Sequence, residues 1–459
     1  MGILGPTRSG APSRLEPAEV VRRVHTLLAR HAVALPVRLW DGTELGPEDA
    51  DFRVVLQHPW SLRSLLPLDD LSAGEAYVFE DIDVEGSVTA ALRVVSRLPG
   101  REVLGWFERI RLVRNVLALP RPPERESSVR ARVAGRLHSP ARDRQAVRFH
   151  YDVGNGFYAH LLDTNLVYSC AYFEEEAPED PAEDPRALDR AQIRKLDLVC
   201  RKLRLREGES LLDIGCGWGS LVLHAARHYG VRALGITLST RQAELARERI
   251  AAAGLADRIE IRVEDYRETR GSFDAVASIG MFEHVGEERF ETYFARAYSL
   301  TAPGGRFLNH AITTGARDEI RNLAQERRSF MGTYVFPDGT LAPAHVAVRL
   351  MEQAGFELVD VQQLRRHYAR TLLHWIHNLE TNAEAVRAEH GEIPYRVWRA
   401  YMAGSVVGFE SNTLGLAQML GVRAAADLPL TRSWMEPRLE EQPARTSTHT
   451  DDASGRDGR

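Results

Sequence analysis

LLDIGCGWGSLVLHAARHYG, residues 211–230, reads as a strand, a glycine turn and a helix in immediate succession. The strand ends at Asp213, the turn carries Gly215, Gly217 and Gly219, and Gly230 closes the helix. Glycine lets backbone approach a ligand closely, and a helix N-terminus favours a carboxylate or phosphate. The spacing is G-x-G-x-G behind an acidic residue, not the G-x-G-x-x-G of dinucleotide-binding folds. Outward from this unit, strands and helices alternate, the mark of a parallel α/β sheet. SLLDIG, VRALGIT, IEIRVED, FDAVASIG and GGRFLNHAIT are the strands. The helix TRQAELARERIAAAG has spaced Leu245, Arg249 and Ala252 and a terminating Gly254. AEDPRALDRAQIRKLDLVCRKLRL is a long amphipathic helix leading in, with Cys200 in its core face.

The chain has 459 residues, enough for two domains. With 44% apolar and 27% charged residues it has an ordinary globular balance, and a formal charge of −5 gives no sign of nucleic-acid binding. Three cysteines, Cys170, Cys200 and Cys216, without a C-x-x-C, suit a reducing compartment and offer no disulfide framework or structural zinc site. The N-terminus lacks the apolar core of a signal peptide, and no apolar run is long enough to span a bilayer, so cytoplasm is the expected location. The acidic run EEEAPEDPAEDP, residues 174–185, has prolines and no histidine; it reads as a solvated loop, and no metal site is expected.

Ahead of the α/β region, PAEVVRRVHTLLARHA has helical spacing, and VALPVRLWDGTELG reads as a hairpin turning at Asp41-Gly42. DFRVVLQHP adds a third strand, completing a small α+β domain with the segments up to Leu98. In REVLGWFERIRLVRNVLALP, Val103, Trp106, Phe107, Ile110, Val113 and Leu117 share one helical face, with Arg109, Arg111 and Arg114 around it. Residues 101–148 hold twelve arginines against five acids, a local net of +7. Such a stretch suits either an anionic membrane surface or a core helix followed by a solvated linker. The expected divisions are a disordered 1–16, an α+β lipid-binding domain over 17–118, a basic linker over 119–147, a catalytic domain over 148–436 and a disordered tail over 437–459.

D-x-G-x-G-x-G resembles the first motif of the S-adenosylmethionine-dependent methyltransferases, whose turn cradles the methionine end of the cofactor. VEDY then puts Asp265 and Tyr266 where such enzymes hold adenine. One position departs from that class: the second strand ends not in an acid but in GITLST, with Thr237, Ser239 and Gln242 nearby. With the remaining motifs the resemblance narrows. HYDVGNGFYAHLLD, YSCAYF, LDIGCGWG, TLS, MFEHVG, NHAIT, FPDGTLAP and HYARTLLHW stand in the order found in the cyclopropane-fatty-acyl-phospholipid synthases and their mycolic acid relatives. The resemblance is dense from His150 to about Phe409, and looser over the N-terminal domain, which the mycolate enzymes lack.

It implies a class I methyltransferase fold, a Rossmann-like seven-stranded sheet, with a small N-terminal lipid-binding domain. It also implies transfer of the methyl carbon of S-adenosylmethionine to a double bond in a phospholipid acyl chain, giving a cyclopropane through a carbocation. The family holds bicarbonate as the base, and carried over by motif its ligands are Cys170, Glu283, His310, the backbone at Ile312, and Tyr368. Cofactor positions are Tyr168, Ser169, Asp213, Gly215, Gly217, Trp218, Thr237, Gln242, Asp265, Tyr266 and Gly280. Taken singly, each has an ordinary structural alternative: a core histidine, a capping glutamate, a surface tyrosine. Implied partners are unsaturated phospholipid chains and the anionic inner face of the membrane, met peripherally; a homodimer stays open. Rival readings are a methyltransferase leaving a 10-methylene or 10-methyl branch, a small-molecule methyltransferase, and a non-catalytic lipid binder.

Overall fold

A computed structural model describes residues 16–30, 35–67, 69–97, 106–124, 130–131, 133–151, 153–315, 321–322, 329–424 and 426–436. The disorder expected at both ends lies outside the described residues, Glu16 apart. The small N-terminal sheet has the order β2-β1-β3-β4, from β1 (Val37–Arg38), β2 (Glu44–Leu45), β3 (Phe52–Leu56) and β4 (Ile82–Gly86). β1 and β2 are antiparallel, and the reversal falls at Asp41-Gly42, where Gly42 takes φ +83° and the Asp41 carboxylate accepts from the Thr43 N–H. Val21, Val37, Leu39, Phe52, Leu56 and Ala91 form this unit's core, bringing the helices Pro17–Arg30 and Val88–Ser96 onto the sheet.

The helix Trp106–Leu117 is attached through Val116, which with Leu119 packs on Val20. Of the face expected from spacing, Ile110, Val113 and Leu117 point away from the core, 49%, 40% and 48% exposed, while Val103 and the side chains of Trp106 and Phe107 lie outside the described residues. Helical period alone does not say which medium an apolar stripe meets, and here it is not the protein core.

The large sheet holds nine strands among the described residues. They are β5 (Ser210–Ile214), β6 (Arg232–Thr237), β7 (Ile259–Val263), β8 (Phe273–Ile279), β9 (Thr301–Thr314), β10 (Arg321–Asn322), β11 (Thr340–Pro343), β12 (Glu357–Gln363) and β13 (Leu414–Val422). Seven follow the order β7-β6-β5-β8-β9-β13-β12, with β13 antiparallel to both neighbours. This is the expected class I methyltransferase sheet. It is larger than seven strands because β9 outruns β8: its last residues, Thr313 and Thr314, pair instead with β11, to which β10 adds. Between β12 and β13 the chain leaves the sheet for three helices, Arg365–Thr381, Ala383–His390 and Glu392–Glu410.

The last of these helices joins the two units. Arg396 and Arg399 are buried in it and reach the small domain: Arg399 donates to the Tyr77 hydroxyl and the Gly86 carbonyl, each at 2.9 Å, and Arg396 to Asp83 at 3.0 Å. The basic linker expected over 119–147 ends as a helix, Pro140–Tyr151, which crosses the expected boundary at 148. Its arginines are not all solvated; Arg142 grips the Asp338 carboxylate at 2.7 and 2.8 Å. No helix among the described residues is long and apolar enough to cross a membrane.

Candidate active site

Strand order reverses between β5 and β8, and in open parallel sheets ligands bind at the carboxyl ends of strands at such a point. A cavity opens there, between the ends of β5, β6 and β8 and the helix Pro140–Tyr151. The glycine turn forms its floor. Gly215, Gly217 and Gly219 have φ of +85°, +54° and +80°, left-handed conformations that a side chain would strain. A Cβ on Gly215 would also press on Met281 at 3.3 Å.

All eleven expected cofactor positions, Tyr168, Ser169, Asp213, Gly215, Gly217, Trp218, Thr237, Gln242, Asp265, Tyr266 and Gly280, line this cavity. Several are more engaged than their motifs suggest. The Thr237 hydroxyl donates to the Gln242 side-chain oxygen at 2.9 Å, so the neutral pair replacing the usual acid is pre-joined. Asp265 accepts from Arg267 at 2.8 and 2.6 Å, and Arg267 also reaches Asp143 at 2.9 Å. Burial pushes the Asp265 carboxyl up, but those bonds outweigh it and hold it below its usual value. Asp265 therefore serves to tie the cavity rim to the helix Pro140–Tyr151. Trp218 donates to Asn155 at 2.9 Å and packs on Tyr158, so it is both wall and core. Burial raises the Asp213 carboxyl to about 7 against the pull of Lys195.

The five positions expected to hold an anion do not line that cavity: Cys170, Tyr368 and Ile312 belong to the aromatic core, Glu283 bonds to Ile312, and His310 lies two residues before Ile312 on β9. Glu283 follows β8 in a short turn and is buried. Its Oε1 accepts from the Ile312 N–H at 2.6 Å, while Oε2 is buried with no hydrogen-bond partner. Burial brings its carboxyl to about 7, with the Ile312 N–H as the chief opposing influence. His310 lies two residues earlier on β9, facing the same side as Ile312. Its Nδ1 meets the Gln418 amide nitrogen at 3.1 Å, and its Nε2 is buried and unpartnered. With Gln418 donating to Nδ1, the ring proton belongs on Nε2, and burial keeps the ring neutral.

Tyr368 is buried beside Cys170 and Glu283, its ring on Phe409 at 4.8 Å. The Cys170 thiol donates to the Ala171 carbonyl at 3.1 Å, and burial pushes its pKa well up, so it is no nucleophile. The Ile312 N–H is likewise committed, to Glu283. The groups free to meet a ligand are thus Glu283 Oε2 and His310 Nε2, with Tyr368 adjoining.

Of the aromatic wall around Tyr168 and Tyr368, sequence reasoning passed over Tyr158, Trp375, Trp398 and Tyr401. Tyr168 stacks on Trp375 at 5.2 Å, adjoins Tyr158 at 5.2 Å and approaches Tyr401, hydroxyl to hydroxyl, at 3.4 Å. Trp398 sits 5.3 Å from Tyr158, and Tyr368 6.0 Å from Trp375. Gln192, Lys195, Gln418 and Tyr151 were also missed. Only the first two had a signal: polar residues on the apolar face of an amphipathic helix.

The family described as "Mycolic acid cyclopropane synthetase" matches residues 138–419, a span holding both cavity and cluster. The chain belongs to that family. A "Probable fatty acid methyltransferase" of Pseudomonas putida is 38% identical over 417 residues, covering 89% of this chain and 98% of its own. One of the same description from Mycobacterium tuberculosis is 36% identical over 440 residues, covering 92% and 99%. Among solved structures, the mycolic acid cyclopropane synthase CmaA1 complexed with SAH and CTAB superposes with a TM-score of 0.55 at 31% identity, covering 61% of this chain and 98% of that one. This member of the family is an S-adenosylmethionine-dependent methyltransferase, and the family's chemistry is methylation or cyclopropanation of fatty acyl chains.

Proposed function

We propose that the enzyme converts a double bond in an unsaturated phospholipid acyl chain to a cyclopropane, with S-adenosylmethionine in the cavity and bicarbonate between Glu283 and His310. The observation that carries this reading is the pair of orphaned buried atoms, Glu283 Oε2 and His310 Nε2. A buried polar atom without a partner is costly, so two of opposite sense, one on β9 and one on a carboxylate bonded to β9 at Ile312, suit a small ligand that both accepts and donates. Bicarbonate is such a ligand: an oxygen takes the Nε2–H, and its hydroxyl gives to the carboxylate. CmaA1 was solved in complex with SAH and CTAB, a cofactor product and a long-chain amphiphile.

When bound, S-adenosylmethionine supplies a methyl group electrophilic enough for an alkene to attack, and bicarbonate supplies a base that is not an amine. A basic side chain in their place would itself risk methylation. The glycine turn, Thr237 and Gln242 hold and orient the cofactor. Tyr158, Tyr168, Trp375, Trp398 and Tyr401 exclude water, and their ring faces favour positive charge developing on the acyl chain. Glu283 and His310, braced by Ile312 and Gln418, hold the proton acceptor's position.

The small domain favours a phospholipid substrate. The CmaA1 likeness covers 61% of this chain, whereas the Pseudomonas relative covers 89%. The exposed apolar stripe Ile110, Val113 and Leu117, beside exposed Arg114, suits contact with an anionic bilayer. A second reading is a 10-methylene or 10-methyl product, favoured by the two relatives described as fatty acid methyltransferases.

The test is labelled methyl transfer from S-adenosylmethionine to vesicles of unsaturated phospholipid, with and without removal of bicarbonate. Transfer that falls on depletion and returns on adding bicarbonate supports the reading. Full activity after depletion overturns the anion assignment.

A further inference from the structure

The helix Ala187–Lys202 carries Gln192 and Lys195 one turn apart on its buried face, 0% and 1% exposed. Both are spent on the segment that walls the cofactor cavity. Gln192 donates to the carbonyls of Val167 at 3.2 Å and Ser169 at 2.8 Å, and the Lys195 ammonium donates to the Ser169 hydroxyl oxygen at 2.8 Å. A buried ammonium is costly unless paired. Lys202, on the same helix, ends on the Asp360 carboxylate at 2.9 Å; Lys195 ends on a neutral hydroxyl. Packing alone would be served by leucine or methionine at 195, so beyond balancing the nearby Asp163 and Asp213 carboxylates the charge has a directed use.

That use follows from donor chemistry. An ammonium only donates, so Ser169 Oγ is its acceptor and the serine's own proton must point elsewhere. No acceptor among the described residues takes it. Ser169 and Lys195 both line the cavity, beside Gly215 and Gly217. We propose that Lys195 is a positioning residue that fixes the Ser169 hydroxyl as a donor into the cavity, toward the carboxylate of the cofactor's methionine end. This rests on the reading that the cofactor lies with that end against Ser169.

Burial brings the Lys195 ammonium down to about 8, held up chiefly by Asp163 and then by Cys170, Asp213 and Cys200; His310 and His224 also face it. Once neutral, the amine can accept from Ser169, and the hydroxyl proton is turned away from the cavity. Affinity for the carboxylate end therefore falls as pH rises past that point.

The experiment measures S-adenosylhomocysteine affinity by calorimetry for the full-length wild type, Lys195→Met, Ser169→Ala and the double variant. Each single change is expected to weaken binding about tenfold, and the double variant no further. Weakening of about a hundredfold in the double variant overturns the proposal, because the residues then act independently. An unchanged Lys195→Met beside a weakened Ser169→Ala also overturns it, and leaves the cofactor placement standing. An unchanged Ser169→Ala overturns the placement itself. Should Lys195→Met not fold, the pH profile decides between wild type and Ser169→Ala. Affinity that falls above pH 8 in the wild type alone supports the relay; equal profiles overturn it.

Discussion

At the scale of single residues, the account turns on Glu283. Glu283→Gln keeps the oxygen that accepts from Ile312 and removes the charge opposite the proposed anion. The variant should bind S-adenosylhomocysteine as the wild type does and lose turnover by roughly a hundredfold or more, read by labelled methyl transfer. The same substitution has a stability signature. Burial raises the Glu283 carboxyl from 4.5 to about 7, so between those values the folded state binds more protons than the unfolded. Glu283 therefore contributes a loss of stability as pH rises through that window, and Glu283→Gln lacks that contribution. Its advantage should be absent below pH 4.5 and approach, at most, about 3 kcal/mol above pH 7. Thermal melts across pH 4–8 check it, and an advantage that grows toward acid contradicts it. Gln418→Leu should act more mildly, lowering turnover roughly tenfold by freeing the His310 tautomer, with cofactor affinity unchanged. These roles were only partly legible. Motifs pointed to Glu283 and His310, but Gln418 comes from β13, more than a hundred residues away, and only strand pairing brings it to His310.

At the scale of elements, legibility followed locality. The strand–turn–helix at Leu211–Gly230 and the Asp41-Gly42 hairpin are set by short-range chemistry, and both stand in the structure. β12 and β13 were not read, because three helices in succession separate two strands that pair only with each other and β9. The helix Pro140–Tyr151 looked like solvated linker because it is rich in arginine; its ion pairs with Asp338, and Arg267 with its Asp143, explain its order. The helix Trp106–Leu117 supplies the element-scale prediction. Ile110→Asp with Arg114→Glu should weaken sedimentation with anionic vesicles several-fold and leave S-adenosylhomocysteine binding intact. Unaltered sedimentation would move the membrane contact to another surface.

For the whole molecule, the helix Glu392–Glu410 links the small N-terminal domain to the α/β domain. One face holds Arg396 and Arg399 in the small domain, and another supplies Trp398 and Tyr401 to the aromatic wall. Arg399→Met would strand the buried Tyr77 hydroxyl and release the more exposed Gly86 carbonyl and Glu380 carboxylate to water, costing about 2 kcal/mol. Calorimetry should show a lower melting temperature, and limited proteolysis earlier cleavage within the small domain; a melt equal to the wild type's would deny the link. The central claim concerns the product. Incubating the enzyme with carbon-13-methyl S-adenosylmethionine and vesicles of a defined monounsaturated phospholipid, then recording NMR of the acyl chain, tests it directly. The account predicts the labelled carbon as the methylene of a cyclopropane ring; label in a vinylidene or a branched methyl group would contradict it.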